Sequence, residues 1–318
     1  MPRASVIIPS HNRPALLIEA LNSVRAQTFG DWEAVIVDDG SIPPVALDRE
    51  DARVSVLRHA SAQGGAAAKN SGIGGAAGEI VAFLDDDDLW APNYLQRAID
   101  VLDRRPELDL VFMGVSWFGE ASGWGRRSYE ASMARSLSQA RGTQVEEGVL
   151  AFGEPLFDAL LTSVPMAFQR PVVRARAMQR IGLYSPASLL WDCDWAIRAA
   201  LKGRTALIID PLYRQRVEGQ GYSSRTQRQY EHLVSGGEMM ERYLEEARAG
   251  RYPRPAVPKF RRATAKAWFD LAWFHYQRRE DRKAARALLR SELRELSLRR
   301  LRLLIRLALP RMFSRDQA

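Results

Sequence analysis

The chain has 318 residues, 46% of them hydrophobic and 26% charged, which is enough to bury a full core and typical of a globular protein rather than a disordered or fibrous one. Its net charge of +8 is unevenly placed: residues 278–315 hold thirteen Lys or Arg against Glu280, Asp281, Glu292 and Glu295, a local +9 that leaves the remainder at −1, so nucleic acid is not an expected partner of the main body. A single cysteine, Cys193, excludes an internal disulfide and any zinc site made of several thiolates.

In chain order, the start "MPRASVIIPSHN" has only three apolar residues in a row before Pro9, too few for a secretory signal. No stretch reaches the ~20 apolar residues of a membrane span, because Arg302 and Arg306 interrupt the most apolar part of the tail. A cytoplasmic, reducing location is expected. Four short apolar runs, 5–10, 33–41, 53–59 and 79–88, read as strands ending in polar residues. Between the first two, Leu17, Ala20, Leu21 and Val24 recur at helical spacing, and between the last two lies "AQGGAAAKNSGIGGAAG". Strands alternating with helices predict βαβ units and a mainly parallel sheet flanked by helices.

A helix from Pro92 to Arg105 and a strand at 108–118 follow. The polar stretch Gly119–Gly148 reads as a long loop or short hairpins at the rim of a site. Helices are expected around Leu156–Leu161, Arg174–Ile181 and 189–203, then one or two strands from Thr205, and helix from about Thr226 to the end. The predicted division is 1–225 and 226–318.

Ligands of such sheets bind beyond the carboxyl ends of the strands. Three strand ends carry chemistry there: Ser10–Arg13, Asp38–Ser41 and Asp85–Asp88. Four consecutive aspartates repel one another unless a cation joins them, and oxygen ligands suit Mg²⁺ or Mn²⁺. Alternation along an extended backbone would pair Asp85 with Asp87 and Asp86 with Asp88. The rival reading, a solvated turn, loses weight because a second acidic pair ends another strand. The glycines of "GIGGAAG" (72–78) close a helix instead of opening one, unlike a dinucleotide fingerprint, and no Gly-Lys-Ser/Thr triplet occurs. The four histidines lack metal-ligand spacing, and no serine sits in a G-x-S-x-G elbow.

Taken together, "SVIIPSHNR", "VIVDDGS", "AAAKNSGIGGAAGEIVAFLDDDDLW" and "DCDWAIR" resemble the family 2 glycosyltransferases over roughly residues 4–220. The resemblance implies the GT-A fold over residues 1–225. It also implies a metal-dependent, inverting transfer of a sugar from a nucleotide-diphosphate donor to the hydroxyl of a saccharide or lipid-linked saccharide, in cell-surface polysaccharide or glycoconjugate assembly. Ser10, His11, Asn12 and Arg13, after Pro9, then line the nucleotide pocket. Asp39, with Asp38 beside it, reads the base or ribose, and Lys69 lies near the nucleotide. Asp85 and Asp87 match the family's D-x-D, Asp87 as the more direct metal ligand and Asp86 toward the ribose. Asp192 matches the aspartate that acts as base.

Two departures stand out, Trp191 where the family usually has glutamate and His11 where it has tyrosine. Plainer roles are open for several residues: Asp192 and Asp194 as helix caps or surface carboxylates, Lys69 as an exposed lysine, Cys193 as a small buried side chain. Arg214 and Arg216, like Trp191, are candidates for contacts to the diphosphate or acceptor, or are exposed strand charges. The alternatives in other classes are a nucleotide-sugar-binding regulator without turnover, which the presence of Asp192 disfavours, and a sugar nucleotidyltransferase, whose Gly-rich basic loop "PSHNRP" does not supply.

If residues 281–309 form one helix, Ala285, Leu289, Leu293, Leu296, Leu303 and Leu307 make an apolar stripe flanked by arginines. Packing against the rest of the chain, with "AWFDLAWFHY" as hairpin partner, is the first expectation for that stripe. Peripheral contact with an anionic membrane, at its inner face, is the second.

Overall fold

The computed structural model describes residues 1–47, 49–119, 123–217, 225–291 and 297–308. The chain divides into two compact units, Met1–Ala187 with Trp191–Tyr222, and Ser188–Leu190 with Ser223–Ala318.

The first unit opens with β1 (Ala4–Ser10), α1 (Pro14–Arg25), β2 (Trp32–Asp38), β3 (Val54–Arg58), α2 (Gly65–Gly75) and β4 (Ile80–Phe83). Pro14 starts α1 without losing a hydrogen bond, and Leu17, Ala20, Leu21 and Val24 are its buried stripe. These four strands pair in parallel in the order β3-β2-β1-β4. The apolar runs of β1, β2 and β4 are buried, as parallel strands covered on both faces must be. Helix α2 lies so close to β1 that a Cβ at Gly72 would sit 2.4 Å from the Ile7 side chain. "GIGGAAG" is thus a helix end and turn, as its position predicts.

There follow β5 (Leu89–Trp90), α3 (Tyr94–Arg104), β6 (Leu110–Phe118), α4 (Gly123–Ala140), β7 (Thr143–Glu146), β8 (Val149–Phe152), α5 (Glu154–Leu160), a 3₁₀ turn (Met166–Gln169), β9 (Pro171–Arg174), α6 (Ala175–Ile181), α7 (Trp191–Lys202) and β10 (Thr205–Arg216). The sheet continues β4-β9-β6-β10-β8-β7, with β5 on β10. Strand β9 is antiparallel to both β4 and β6, while β6 and β10 are parallel. The sheet is mixed with a largely parallel core.

The segment expected to be loop, Gly119–Gly148, contains the 18-residue α4. Its inward positions include Ser136 and Ala140, which are small or polar, so burial leaves little apolar periodicity to read. The strand predicted over 79–88 ends at Phe83.

The second unit holds α8 (Arg225–Arg248), α9 (Ala256–Gln277), α10 (Asp281–Arg290) and α11 (Leu298–Ala308). Helices α8 and α9 meet where a Cβ at Gly237 would sit 2.9 Å from Trp268, and Tyr243 stacks on Phe260 at 5.0 Å. Trp268, Leu271, Ala272 and Phe274 of α9 share a core with Ala287, Leu288 and Leu303. The tail is therefore two described helices instead of one, and Leu289, predicted to lie in the stripe, is 68% exposed. Leu293 and Leu296 lie outside the described residues. Among the described residues no helix is long and apolar enough to cross a membrane.

Candidate active site

The ends of β1, β2 and β4 are stitched together by side chains. After β1, Asn12 adopts a left-handed backbone (φ 56°), its amide donates to Ser41 Oγ at 3.0 Å, and its Oδ1 accepts from Ile42 N at 2.8 Å. His11 Nδ1 lies 2.7 Å from the Asp39 carbonyl. Ser10 and Arg13 turn toward the next strand: Ser10 donates to Asp86 Oδ2 at 2.8 Å, and Arg13 reaches Asp86 Oδ1 at 3.2 Å and Asp87 Oδ2 at 3.1 Å.

Asp38 and Asp39 are both buried and both engaged within the protein. Asp38 accepts from Ser41 N and Val45 N and pairs with Arg58. Burial pushes its carboxyl up, but these hydrogen bonds win and hold it at about 2. Asp39 accepts from Gln63 N and Gly64 N, each at 2.8 Å, and sits 2.7 Å from His59 Nδ1. Against burial, those donors keep its carboxyl below the usual range. Gly64 takes φ 91°, which glycine adopts freely, and so presents its N–H to Asp39 at the start of α2.

The four aspartates form a turn, with Asp88 N donating to Asp85 O at 3.1 Å. The turn replaces the extended alternation and changes the pairing: Asp85 and Asp88 share Arg170, at 3.2 and 3.5 Å, whereas Asp86 and Asp87 share Arg13. Tyr213 Oη donates to Asp88 Oδ2 at 2.8 Å, and Arg216 N donates to Asp88 Oδ1 at 2.9 Å. The four carboxyls consequently diverge. Burial raises Asp85, but Lys69 and Arg170 outweigh it and bring it down to about 2. Burial dominates for the others, raising Asp86 to about 6, Asp88 to about 7, and Asp87 above its ordinary value with help from the Asp85 charge.

Lys69, on α2, is no exposed lysine: it is 1% exposed and its Nζ bridges Asp85 at 3.0 Å and Asp192 at 3.4 Å. Its ammonium lies 4.3 Å from the Trp191 ring, with Tyr184 and Phe83 at 5.6 and 5.7 Å. The neighbouring Asn70 anchors this cage, since its side chain exchanges two 2.9 Å hydrogen bonds with the Tyr184 backbone. Asp192 occupies the first turn of α7. Burial raises its carboxyl to about 6, with Lys69 opposing the rise and Asp85 adding to it. Asp194, 1% exposed, is not a surface carboxylate; it accepts from Arg198 Nη2 at 2.7 Å, and Arg198 also ties down the Ile181 and Leu183 carbonyls. Cys193, expected to be buried, is partly exposed.

Arg216 Nε donates to the Asp87 carbonyl at 3.0 Å and its guanidinium lies 4.6 Å from Phe118, while Arg214 lies 5.4 Å from the same ring. Sequence reasoning missed Arg170, which is 4% exposed, lies 4.5 Å from the Tyr213 ring and is held far into its charged state despite burial. Its one signal was position: an arginine directly before the apolar "PVV" of a strand. A separate cleft of about 420 Å³ is lined by Arg97, Arg104, Glu146 and Asp210, whose charges already pair with one another.

A mixed sheet with a largely parallel core, and acidic clusters beyond the carboxyl ends of its parallel strands, defines the class, a GT-A-like fold. Residues 5–158, just under half of the chain, match the model of glycosyl transferase family 2. The mannosyltransferase PcManGT from Pyrobaculum calidifontis, solved in complex with GDP-Man and Mn²⁺, has the same fold, with a TM-score of 0.56 at 21% identity over 96% of this chain and 79% of that one. UDP-Glc:alpha-D-GlcNAc-diphosphoundecaprenol beta-1,3-glucosyltransferase WfgD of Escherichia coli is 35% identical over 101 residues, 31% of this chain and 40% of that protein. GalNAc(5)-diNAcBac-PP-undecaprenol beta-1,3-glucosyltransferase of Campylobacter jejuni is 40% identical over 94 residues, 28% of this chain and 30% of that protein. The chain thus spans well under half the length of these curated relatives.

Proposed function

We propose that the protein is an inverting glycosyltransferase that moves a sugar from a nucleotide-diphosphate donor to the hydroxyl of a lipid-linked saccharide, in the cytoplasm, during cell-surface polysaccharide or glycoconjugate assembly. The observation that carries this reading is that the buried Lys69 ammonium pairs with both Asp85 and Asp192. One carboxylate belongs to the acidic turn and the other to a separate helix, which is the division that attack from the face opposite the diphosphate requires. Asp192 takes the acceptor proton, and its raised carboxyl is suited to the task. Lys69 holds Asp192 in place from one side, and Trp191 offers an indole face to a sugar ring.

The donor's nucleotide lies along Pro9, Ser10, His11, Asn12 and Arg13, with Asp38, Asp39 and Asp86 completing that wall. Because Asp38 and Asp39 already accept several protein hydrogen bonds, their part is to shape the pocket as much as to touch the ligand. Asp85 and Asp87 would hold a divalent cation, Mg²⁺ or Mn²⁺. The donor set fits it: Asp87 is raised by burial and by the Asp85 charge, a surplus of negative charge that a cation relieves. Among the described residues no three His, Cys, Asp or Glu side chains converge as a complete metal cage, so the diphosphate oxygens are needed to fill the coordination. When bound, such a cation neutralises the departing diphosphate. Arg214 and Arg216 flank this end of the site. The acceptor class rests on the two undecaprenol-linked acceptors named for the relatives.

The test is thermal shift with a panel of nucleotide-sugars and Mn²⁺, followed by transfer assays with the donor that binds. A donor at 100 times its Kd stabilises by ~2.7 kcal/mol. Stabilisation by no member of the panel would sink the reading.

A further inference from the structure

The outward side of α11 has a composition that a water-facing helix does not need. Leu303 is in the core shared with α9 and α10, and Leu304 and Leu307 pack against that core. At about 100° per residue these three define the inward direction. On the opposite side Leu298, Leu301 and Ile305 recur at spacings of three and four, and are 73%, 48% and 48% exposed. Beside them, one residue further on each time, run Arg299, Arg302 and Arg306, all exposed. The outer half of the helix is therefore split lengthwise into an aliphatic stripe and a basic stripe. None of these three arginines has an acidic partner among the described residues. On α10, Arg282, Lys283, Arg286 and the 68%-exposed Leu289 add the same two kinds of side chain.

We propose that the outer face of α11 is a docking surface for an anionic lipid bilayer. The helix lies in the plane of the headgroups, with Leu298, Leu301 and Ile305 below them and the arginines among the phosphates. Charge selects this occupant over a second copy of the chain, since two such basic faces repel. Area selects it too, because three partly exposed aliphatic side chains fall far short of the ~800 Å² per partner of a stable protein interface. A nucleic acid would match the arginines but leave the aliphatic stripe in water. The inference rests on α11 alone and stands apart from the sugar-transfer reading.

The experiment is co-sedimentation of the full chain with vesicles of phosphatidylcholine alone or doped with phosphatidylglycerol, at low and high salt. The expected result is binding to the anionic vesicles only, weakened by salt. Each arginine near an anionic surface is worth about fivefold in affinity, so the triple variant Arg299→Gln, Arg302→Gln, Arg306→Gln should lose on the order of 100-fold. The double variant Leu301→Gln, Ile305→Gln should weaken binding while leaving the charge unchanged. Both variants alter exposed positions, and circular dichroism with a cooperative thermal melt verifies that they fold. Equal binding to neutral and anionic vesicles, or binding to neither, overturns the proposal. So does binding to a DNA oligonucleotide as tight as to the anionic vesicles and unmoved by the double variant, which would assign the face to polyanions in general.

Discussion

The Nζ of Lys69 lies 3.4 Å from the Oδ1 of Asp192, and this cation restrains a carboxyl that burial otherwise drives upward. A base must be ionised to work, so the acid limb of kcat/KM should fall away below about pH 6. In Lys69→Met the restraint is gone, and the acid limb is expected to move to higher pH, with activity partly recovered in alkaline buffer. A pH profile whose limb stays in place would show that Lys69 does not tune the base.

Asp192→Asn keeps the shape of the side chain and removes the proposed proton acceptor. The expected loss is roughly 10²- to 10⁴-fold in kcat, with donor affinity nearly unchanged. Asp194→Asn should act on stability instead, because it weakens a buried pair with Arg198 that anchors two carbonyls. Paired kinetics and melting curves of the two variants check the assignment, and the reverse pattern would place the base on the wrong residue.

Asp87→Asn removes one of the two proposed metal ligands and one charge from a crowded turn. Donor turnover should collapse, as it should on chelation, while the metal-free protein keeps or gains stability. Full turnover in Asp87→Asn would refute the metal assignment.

Asp86, Asp88 and Asp192 are raised to about 6, about 7 and about 6, all above the ordinary aspartate value. The native state therefore holds protons that the unfolded chain has released between about pH 4 and pH 7, and stability falls with rising pH across that window. Asp85 and Asp38, lowered to about 2, act in the opposite sense, but below that window. Melting temperatures of the metal-free protein should decline from pH 4.5 to 7.5, and Asp88→Asn should flatten the decline. A flat profile in the parent protein would contradict the raised values.

Arg170, directly before β9, joins Asp85 and Asp88. Arg170→Met leaves two buried carboxylates without their shared cation, and the expected cost is about 3–5 kcal/mol, read by denaturant unfolding. A loss below 1 kcal/mol would mean that water or another cation takes its place.

Much of this candidate site was legible because its residues sit at the ends of strands with strong apolar patterns, as Ser10 and Asp38 do, or in the turn just past one, as Asp87 does. The pairing within the acidic turn was not, since periodicity describes an extended backbone and says nothing about a strand that stops at Phe83. Arg170 and Asn70 were hidden for another reason: their roles are set by partners at Asp85 and Tyr184, far away in sequence, and no local spacing announces such contacts. Helix α4 escaped because its buried side includes Ser136 and Ala140 in place of large apolar residues.

Gly65 opens α2 directly beneath the indole of Trp191, and a Cβ there would lie 3.1 Å from the ring. Even alanine at 65 would press the indole away from the Lys69 ammonium, whereas a slimmer residue at 191 would lift that restriction. The two positions should consequently drift together among descendants of this chain: tryptophan at 191 favours glycine at 65, and a chain that trades the indole for a smaller group is free to build outward from 65, remodelling the wall beside Lys69.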